Sequence, residues 1–318
     1  MRAVQVTTLD GPKGVSVVDV PEPDASGKVL VDVQVAGVNY PDVLMSRGEY
    51  QMKPELPFVP GSEIAGTVVS GEGFSSGQRV AGFSILGGYA ERAAVDGALL
   101  FPLPDCVSFE AGAALLMNYL TVDFALARRG ALVKGETVLV HGAAGGIGVA
   151  TIQLAKVMGA QVIAVVSTDE KGSVARRAGA DEVVLAEGFL PAVKELTGGR
   201  GVDLVVDPVG GDRFTDSLRS LAQEGRLLVI GFTGGAIPEV RVNRLLLNNI
   251  SVVGVGWGAF WMRDPSYLQE QWARLLPWLE DGSLEPLVGN SYPLEQAADA
   301  LLELDERRAL AKVLLTTR

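Results

Sequence analysis

The sequence predicts an α/β protein with two domains, one a doubly wound parallel sheet and the other a partly closed β-barrel. The chain has 318 residues, which is more than one hydrophobic core usually organises. Apolar strand patterns alternate with helical patterns between residues 137 and 255, as expected for a parallel, doubly wound sheet. Before residue 103, short strand patterns are separated by glycine turns, and this spacing favours a barrel.

The first hundred residues contain mostly strand patterns, broken by turn signals such as Asp10-Gly11-Pro12. Pro41 is expected to open a short helix, because proline is tolerated in the first turn. A proline-dense loop, residues 48–63, follows this helix. Strands are predicted at Ala3–Val6, Val15–Val20, Val29–Val35, Ile64–Val69, Arg79–Phe83, Tyr89–Val95 and Leu99–Pro102.

From Phe109 onward, helical periodicity becomes frequent and alternates with strands. Helices are predicted at Glu110–Leu116, Asn118–Arg128, Glu170–Ala178, Leu190–Thr197, Phe214–Leu221, Arg244–Asn248, Tyr267–Asp281 and Leu294–Asp305. Strands are predicted at Thr137–Val140, Gln161–Val166, Glu182–Leu185, Leu204–Asp207, Gly225–Ile230, Ile250–Val255, Leu287–Tyr292 and Lys312–Leu315. The last strand is expected to return to the first domain. We therefore assign residues 1–117 and 263–318 to the barrel domain and residues 118–262 to the parallel-sheet domain.

The stretch 137–150 is the centre of the predicted parallel sheet. An apolar strand pattern precedes the glycine turn Ala143–Gly148, and an apolar helical stripe follows from Val149. The turn matches G-x-G-x-x-G, with alanine in place of the first glycine and with Gly145 and Gly148 in the other positions. Such a turn lets the backbone approach a pyrophosphate, and the helix N-terminus offers N–H groups to an anion. Because the motif lies between a strand and a helix, we predict a dinucleotide site rather than a plain βα turn.

Composition and charge exclude several classes of protein. The net charge is −11 and the isoelectric point is about 4.7, which argues against nucleic acid or an anionic membrane as the main partner. No run of about 18 apolar residues is present, so no membrane-spanning helix is expected. The chain begins directly in a strand pattern without a signal peptide, and we expect a cytoplasmic location.

The cysteine and histidine counts bear on metal binding. Zinc sites are built mainly from these residues, with three protein ligands at a catalytic centre and four at a structural one. The chain has one cysteine, Cys106, and one histidine, His141, and neither has a partner at ligand spacing. We therefore expect no bound zinc. Cys106 is predicted to be a small buried residue, and His141 to be structural in the turn or to contact cofactor.

Several motifs, in order along the chain, resemble the medium-chain dehydrogenase/reductase superfamily and, within it, the zinc-independent quinone oxidoreductases, which include zeta-crystallin. The motifs are Ala36–Asn39, Leu56–Glu63, Gly88–Glu91, Val138–Gly148, Val206–Gly211 and Gly225–Gly231. The resemblance covers nearly the whole chain and implies a GroES-like catalytic domain and a Rossmann cofactor domain. Zinc-dependent alcohol dehydrogenases have Gly-His-Glu where this chain has Gly61-Ser62-Glu63, and they carry a ligand cysteine that is absent here. The resemblance thus implies a reductase without a metal.

The end of the second parallel strand bears on the choice between NADPH and NADH. An acidic residue about 20 residues past the glycines binds the ribose 2′-OH of NAD, whereas a small hydroxyl residue and a cation suit a 2′-phosphate. Here Ser167 ends the strand and Lys171 follows. In the related quinone reductases this pattern goes with NADPH, so we predict NADPH. The alternative is that Lys171 is only a solvated lysine and that Asp169 binds the ribose.

Catalysis without a metal requires an acceptor that is already electron-poor, such as a quinone or an α,β-unsaturated carbonyl. Negative charge still develops on the acceptor oxygen, and hydrogen-bond donors stabilise it. The resemblance implies that Asn39 and Tyr50 lie near nicotinamide and substrate, as candidate catalytic and cofactor-binding residues, and that Thr121 lies beside the nicotinamide. Asn39 could instead be a turn residue, and Tyr50 could pack in its loop. We favour Tyr50 because a buried phenol needs a hydrogen-bond partner.

The resemblance implies further cofactor contacts, all but one of them in the parallel-sheet domain. They are Ala144, Gly145, Gly146 and Ile147 in the glycine turn, Gly231, Phe232 and Thr233 after the strand that ends at Ile230, Val255, Gly256 and Trp257 at the end of the last strand, and Lys312 near the C-terminus. The alternative for Lys312 is a surface charge.

The last parallel strand and the aromatic residues after it bear on assembly. Trp257, Phe260 and Trp261 form a cluster that either lines an apolar substrate pocket or packs at a subunit interface. The segment 250–255 is predicted to be an edge strand that pairs with its copy in a homodimer, because a bare apolar edge promotes uncontrolled association.

The sequence is consistent with three functions. The first is NADPH-dependent reduction of quinones. The second is NADPH-dependent reduction of an activated C=C bond in an enal, an enone or an enoyl thioester. The third is a non-catalytic nucleotide-binding protein, because binding of a cofactor does not prove turnover.

Overall fold

The described part of the chain, residues 1–317 of a computed structural model, divides into two units. Unit 1 comprises Met1–Met117 and the described residues from Pro265 onward, and unit 2 comprises Asn118–Asp264. The N-terminal part of unit 1 contains the strands β1 (Arg2–Val6), β2 (Val15–Asp19), β3 (Val29–Gly37), β4 (Glu63–Ser70), β5 (Arg79–Phe83), β6 (Arg92–Val95) and β7 (Leu100–Pro102), and the helices α1 (Tyr40–Ser46) and α2 (Phe109–Leu115).

Helix α1 follows β3 after two residues, and this connection positions Asn39. The Asn39 residue has extended backbone, and its N–H donates to Oδ2 of Asp42 at 2.9 Å. Pro41 occupies the first turn, as predicted, where its missing N–H has no intrahelical acceptor to lose. The start of the helix is therefore determined by residues that are close together in the sequence.

Unit 2 is a six-stranded parallel sheet with helices between the strands, as predicted. Its strands are β8 (Thr137–Val140), β9 (Gln161–Val166), β10 (Glu182–Leu185), β11 (Val202–Asp207), β12 (Leu221–Val229) and β13 (Ser251–Gly254). Its helices are α3 (Thr121–Asp123), α4 (Gly146–Val157), α5 (Asp169–Arg177), α6 (Phe189–Leu196), α7 (Phe214–Ser220), α8 (Asn243–Asn248) and α9 (Trp257–Trp261). The strand order is β10-β9-β8-β11-β12-β13, so the order reverses beside β8, and ligands of such sheets bind at the carboxyl ends of the strands there.

Three local predictions in unit 2 differ from the structure. The segment predicted as a helix at Asn118–Arg128 contains π-helical turns, at Leu116–Leu120 and Phe124–Arg129, on either side of α3. Leu221 begins β12 instead of ending a helix, and α9 was not predicted. Tertiary packing decides these features, since a π-turn needs one inserted residue that no local pattern marks.

The C-terminal part of the chain returns to unit 1, as expected. It contains α10 (Ser266–Glu280), β14 (Val288–Pro293), α11 (Ala297–Asp305) and β15 (Lys312–Thr316). Strand β15 pairs antiparallel with β3 and extends a sheet of order β14-β15-β3-β4-β5-β7, in which β6 also pairs with β3. Strands β1 and β2 form a separate antiparallel pair. Lys312, the first residue of β15, therefore lies in the same sheet as β3, the strand that precedes Asn39.

Cys106 is exposed, with its Sγ 3.8 Å from the carbonyl oxygen of Leu279, so the prediction of a buried cysteine is wrong. It lies in the loop after β7, which stays on the surface of unit 1. Within residues 1–317, no helix has both the length and the apolar character needed to span a bilayer. The cytoplasmic location stays a prediction.

Candidate active site

The glycine turn between β8 and α4 leaves its backbone open to a ligand. Helix α4 begins at Gly146, and Gly145 precedes it with extended backbone. A Cβ on Gly148 would lie 2.2 Å from the carbonyl oxygen of Gly142, so only glycine fits there. A Cβ on Gly145 would meet only that same oxygen, at 3.5 Å. The turn thus has the tight geometry and the open approach that a pyrophosphate requires, and the first turn of α4 supplies N–H groups.

The other predicted cofactor contacts of unit 2 lie mostly along the carboxyl edge of the same sheet. Gly231, Phe232 and Thr233 follow β12, and a Cβ on Gly231 would have only the Pro208 carbonyl oxygen nearby, at 3.5 Å. The Thr233 hydroxyl donates to that oxygen at 3.0 Å. The remaining predicted cofactor residues of unit 2 differ in their exposure. Gly146 and Ile147 are partly exposed and Gly256 is exposed, whereas the buried ones are Thr121, Ala144, Val255 and Trp257.

The aromatic cluster after β13 lies on α9. The rings of Trp257 and Trp261 are 5.8 Å apart, and the ring of Phe260 lies 5.0 Å from that of Phe124. Trp257 and Trp261 are only 5% and 6% exposed in the single chain. This burial contradicts the interface interpretation for the two tryptophans, because residues that pack between subunits are exposed in one subunit alone.

The two residues predicted to select NADPH, Ser167 and Lys171, lie after β9. Ser167 is exposed immediately after the strand. The next residue, Thr168, caps α5, since its hydroxyl accepts from the Lys171 N–H at 3.3 Å. The capping places Lys171 in the first turn of the helix, with Asp169 and Glu170 before it. Thr168 was missed from the sequence, although a threonine before a helical pattern is a recognised N-cap signal.

The site residues of unit 1 centre on a buried ion pair between Lys312 and Glu63. The Lys312 Nζ donates to Oε2 of Glu63 at 2.7 Å and to Oδ1 of Asn39 at 2.6 Å. The side chains of Lys312 and Glu63 are 3% and 0% exposed, so the surface-charge alternative for Lys312 is wrong. Oε1 of Glu63 accepts from the Met117 N–H at 2.9 Å. A Cβ on Gly37 would lie 2.2 Å from the carbonyl oxygen of Ala113 and 2.7 Å from Oε2 of Glu63, which explains the glycine at this position.

The contacts with Lys312 and Glu63 determine whether the Asn39 amide can donate or accept a further hydrogen bond. Its Nδ2 donates to the carbonyl oxygen of Gly37 at 3.2 Å and to Glu63 at 3.4 Å, so both amide hydrogens have acceptors within unit 1. Oδ1 accepts from Lys312 and keeps a second lone pair. Asn39 is therefore suited to accept a hydrogen bond, for example from a ribose hydroxyl, and is poorly suited to donate one to a substrate oxygen.

Tyr50 differs from the buried phenol that the sequence suggested. Its ring packs partly buried against Val6, Met45 and Phe58. Within residues 1–317 its hydroxyl has no hydrogen-bond partner. Partial burial, together with the charge of Asp42, raises the pKa of this hydroxyl, so it stays protonated at neutral pH. Tyr50 is therefore a free donor, which is what a substrate oxygen with developing negative charge requires.

Asp42 is a buried carboxyl that the sequence interpretation missed. Its Oδ2 accepts from the Asn39 N–H and, at 2.7 Å, from the Tyr89 hydroxyl. Burial raises its pKa to about 6, against the lowering effect of these hydrogen bonds and of Lys312. An acidic residue three positions after Asn39 is a capping signal, so its role at the helix start was recognisable, whereas its contact with Tyr89 was not.

His141 is buried at the end of β8, where its role is structural. Its Nε2 lies 2.8 Å from the hydroxyl of Ser217 on α7, and its ring meets that of Phe189 edge-on at 5.0 Å. Burial lowers its pKa to about 4, so the imidazole is neutral near pH 7. Of the two roles considered from the sequence, these contacts favour the structural one.

Asp42 and His141 are expected to give opposite pH dependences of stability. The pKa of Asp42 is about 6 in the fold against 3.8 in the unfolded chain, so its contribution falls as pH rises from about 4 to 6. The pKa of His141 is about 4 against 6.5, so its contribution falls as pH drops through the same range. Each of the two pKa shifts corresponds to about 3 kcal/mol of stability.

D42N keeps only the His141 contribution, so its stability should rise with pH more steeply than that of the wild type. H141Q keeps only the Asp42 contribution, so its stability should fall as pH rises. Urea denaturation between pH 4 and 7 measures both. Parallel curves would contradict these shifted pKa values.

No group of three or more histidine, cysteine or acidic side chains within residues 1–317 could hold a metal ion.

A family model described as "Alcohol dehydrogenase GroES-like domain" matches residues 25–105, and one described as "Zinc-binding dehydrogenase" matches residues 146–281. The chain is thus an α/β protein with a GroES-like domain and a Rossmann domain, the architecture of medium-chain dehydrogenases/reductases.

Known proteins with similar sequences and structures narrow this class. The chain is 41% identical to quinone oxidoreductase-like protein 2 of Rattus norvegicus, over 100% of this chain and 92% of that protein. A probable oxidoreductase from Mycobacterium abscessus is 47% identical with a TM-score of 0.91, over 99% and 98% of the two chains. The quinone oxidoreductase from Thermus thermophilus, solved alone and with NADPH, is 35% identical with a TM-score of 0.87, over 99% and 100%. The chain belongs to the zinc-independent quinone oxidoreductases of the medium-chain superfamily, and it is an oxidoreductase.

Proposed function

We propose that this protein oxidises NADPH and reduces a quinone. The observation that carries the proposal is the glycine turn of unit 2, whose backbone is open at Gly145, together with Ser167, which follows the next strand, β9, where an acidic residue would favour NADH. The relatives support it, because several are quinone oxidoreductases and one of the similar structures was solved with NADPH. Bound NADPH would supply the reducing equivalents.

The residues of the chain have separate tasks in this proposal. The turn residues and the first turn of α4 bind the pyrophosphate, and Ser167 and Lys171 bind the 2′-phosphate. In unit 1, the Tyr50 hydroxyl donates a hydrogen bond to the acceptor oxygen as negative charge develops there. Asn39 accepts a hydrogen bond from the cofactor through Oδ1, and Lys312 acts by holding that amide and not as a direct ligand.

A second candidate is reduction of an activated C=C bond. The free hydroxyl of Tyr50 favours it equally, because such an acceptor also develops charge on a carbonyl oxygen. Steady-state oxidation of NADPH with a naphthoquinone and with a 2-alkenal separates the two. We expect the higher kcat/KM with the quinone, and a higher value with the alkenal would replace the proposal by this second candidate.

The choice of cofactor is tested by direct binding. We expect the wild-type protein to bind NADPH at least about tenfold more tightly than NADH, because a phosphate–lysine contact contributes on the order of 1.4 kcal/mol or more. Titration of the protein with each reduced cofactor measures the two dissociation constants. An NADH constant equal to or below the NADPH constant would remove the NADPH assignment.

We also propose a homodimer formed through the edge strand β13. The strand lies at the end of the sheet, and exposed apolar side chains accompany it on α8 and the loop before it. Leu246 and Leu247 are 76% and 75% exposed, and Ile237 and Val242 are similarly open. Such a patch beside an unpaired sheet edge is typical of a surface that a second copy covers.

The dimer proposal predicts the effect of charges on this surface. The double variant L246D/L247D is expected to be a monomer, since two carboxylates would have to be buried on association. Light scattering after size-exclusion chromatography gives the mass. The control is V133D, which introduces a carboxylate at a different exposed apolar residue of unit 2, 62% exposed, and should leave the dimer intact. A wild-type monomer, or a dimer that survives the double change, would contradict the proposal.

A further inference from the structure

Helix α5 carries two arginines in its last turn, Arg176 and Arg177, and the side chain of Arg176 extends toward the start of the helix. Its Nη1 lies 3.5 Å from the point that a Cβ on Gly172 would occupy. Gly172 is one turn before Arg176 and directly follows Lys171. The guanidinium group therefore lies within the turn of α5 that carries Lys171, in the direction that long helical side chains prefer.

Glycine at position 172 makes this arrangement possible. A Cβ there would also lie 3.2 Å from Cγ1 of Val183 and 3.7 Å from Cγ2 of Val166, so the position faces β9 and β10. A larger side chain would compete with the guanidinium for the same space. The cation can thus lie against the helix one turn from its start, near the end of β9 where Ser167 follows.

The charge of Arg176 is uncompensated within the described chain. Across residues 1–317, Arg176 makes neither a hydrogen bond nor an ion pair, and its side chain is exposed. By contrast, Lys156 and Arg200 of the same unit are paired with Asp181 and Asp203. An unpaired cation beside a predicted phosphate site increases the local positive potential, and the first-turn acids Asp169 and Glu170 would otherwise oppose phosphate binding.

We propose that Arg176 is a second cation for the 2′-phosphate of NADPH and thereby increases the preference for NADPH over NADH. This inference rests on the proposed function, because it assumes that the adenosine ribose binds beside Ser167. A 2′-phosphate carries nearly two negative charges at neutral pH, so a guanidinium within one helical turn attracts it even without a direct hydrogen bond. NADH has no such phosphate and gains nothing from Arg176.

Arg177 provides a matched control. Both arginines lie in the last turn of α5, where a positive charge interacts favourably with the helix dipole. A contribution through the helix dipole would therefore be shared by R176Q and R177Q, which remove one charge each at neighbouring positions. A role in phosphate binding separates them, because it weakens the binding of NADPH and leaves that of NADH unchanged.

The test measures cofactor binding to the wild type, R176Q and R177Q by titration with NADPH and with NADH, at low and at high salt. R176Q is expected to weaken NADPH binding by about three- to tenfold and to reduce its salt dependence, with NADH binding unchanged. R177Q should bind both cofactors like the wild type. Melting temperatures of the two variants show that each is folded.

Two results would overturn the inference, and they differ in what else they affect. If the wild type prefers NADPH but R176Q keeps that preference, or if R177Q weakens NADPH binding as much, Arg176 is not a specificity residue and the proposed function stands. If the wild type binds NADH as tightly as NADPH, the NADPH assignment fails, and the role of Arg176 fails with it.

Discussion

K312M is expected to destabilise unit 1 by about 3–5 kcal/mol, because the buried Glu63 carboxylate loses its cation. Lys312 and Glu63 are almost fully buried, and their charged atoms lie 2.7 Å apart. Removing one partner leaves the other charge in a medium that cannot solvate it. The Asn39 amide also loses the donor at its Oδ1 and is then oriented only by the hydrogen bonds of its Nδ2. Urea denaturation of the variant and the wild type measures the loss.

Two further variants show whether the unpaired charge is the cause. K312M/E63Q removes both charges and should be more stable than K312M, because no uncompensated carboxylate remains. K156M breaks an ion pair of similar length, 2.7 Å to Asp181, whose side chains are 34% and 42% exposed. It should cost less than about 1 kcal/mol. A K312M variant as stable as K156M would contradict the importance of the buried pair.

Y50F is expected to lower kcat with a quinone by about 100-fold, because it removes the donor that we propose stabilises negative charge on the acceptor oxygen. The packing of the ring against Val6, Met45 and Phe58 is retained, so stability should change little. The dissociation constant for NADPH should stay near the wild-type value. Steady-state kinetics and cofactor titration on the same preparation provide both numbers.

Y292F is the control for the loss of a tyrosine hydroxyl. The Tyr292 hydroxyl donates to Glu303 at 2.6 Å in unit 1, among residues with no proposed catalytic role. Its removal should leave kcat unchanged. If Y50F keeps wild-type kcat, the proton and the charge stabilisation come from elsewhere, and Tyr50 is a packing residue of its loop.

The sequence predicted the parallel sheet and the glycine turn well. Strands β9 and β10 begin and end at the predicted residues, and the helices after them start within one residue of expectation. The reason is local: apolar runs, helical stripes and turn residues act over a few positions. The requirement for glycine at 148 follows from the same short stretch, where the turn brings a Cβ against its own backbone.

The candidate site of unit 1 was predicted less well. Asn39 and Tyr50 were identified by resemblance, but the sequence did not show that Asn39 uses both amide hydrogens internally. It also did not show that the Tyr50 hydroxyl is free, that Asp42 contacts Tyr89, or that Cys106 is exposed. Each of these facts depends on which segments meet in space, and none has a periodic signature along the chain.

Short-range pattern was thus sufficient to specify the alternating architecture, the glycine turn between β8 and α4 and the lack of zinc-ligand spacing. Tertiary structure was needed to turn Lys312 from a possible surface charge into a buried partner of Glu63 and Asn39, 249 and 273 residues away. The physical reason is that backbone conformation responds mainly to neighbours in sequence. Burial and pairing of a charge depend instead on which strand pairs with β15, and that strand is β3.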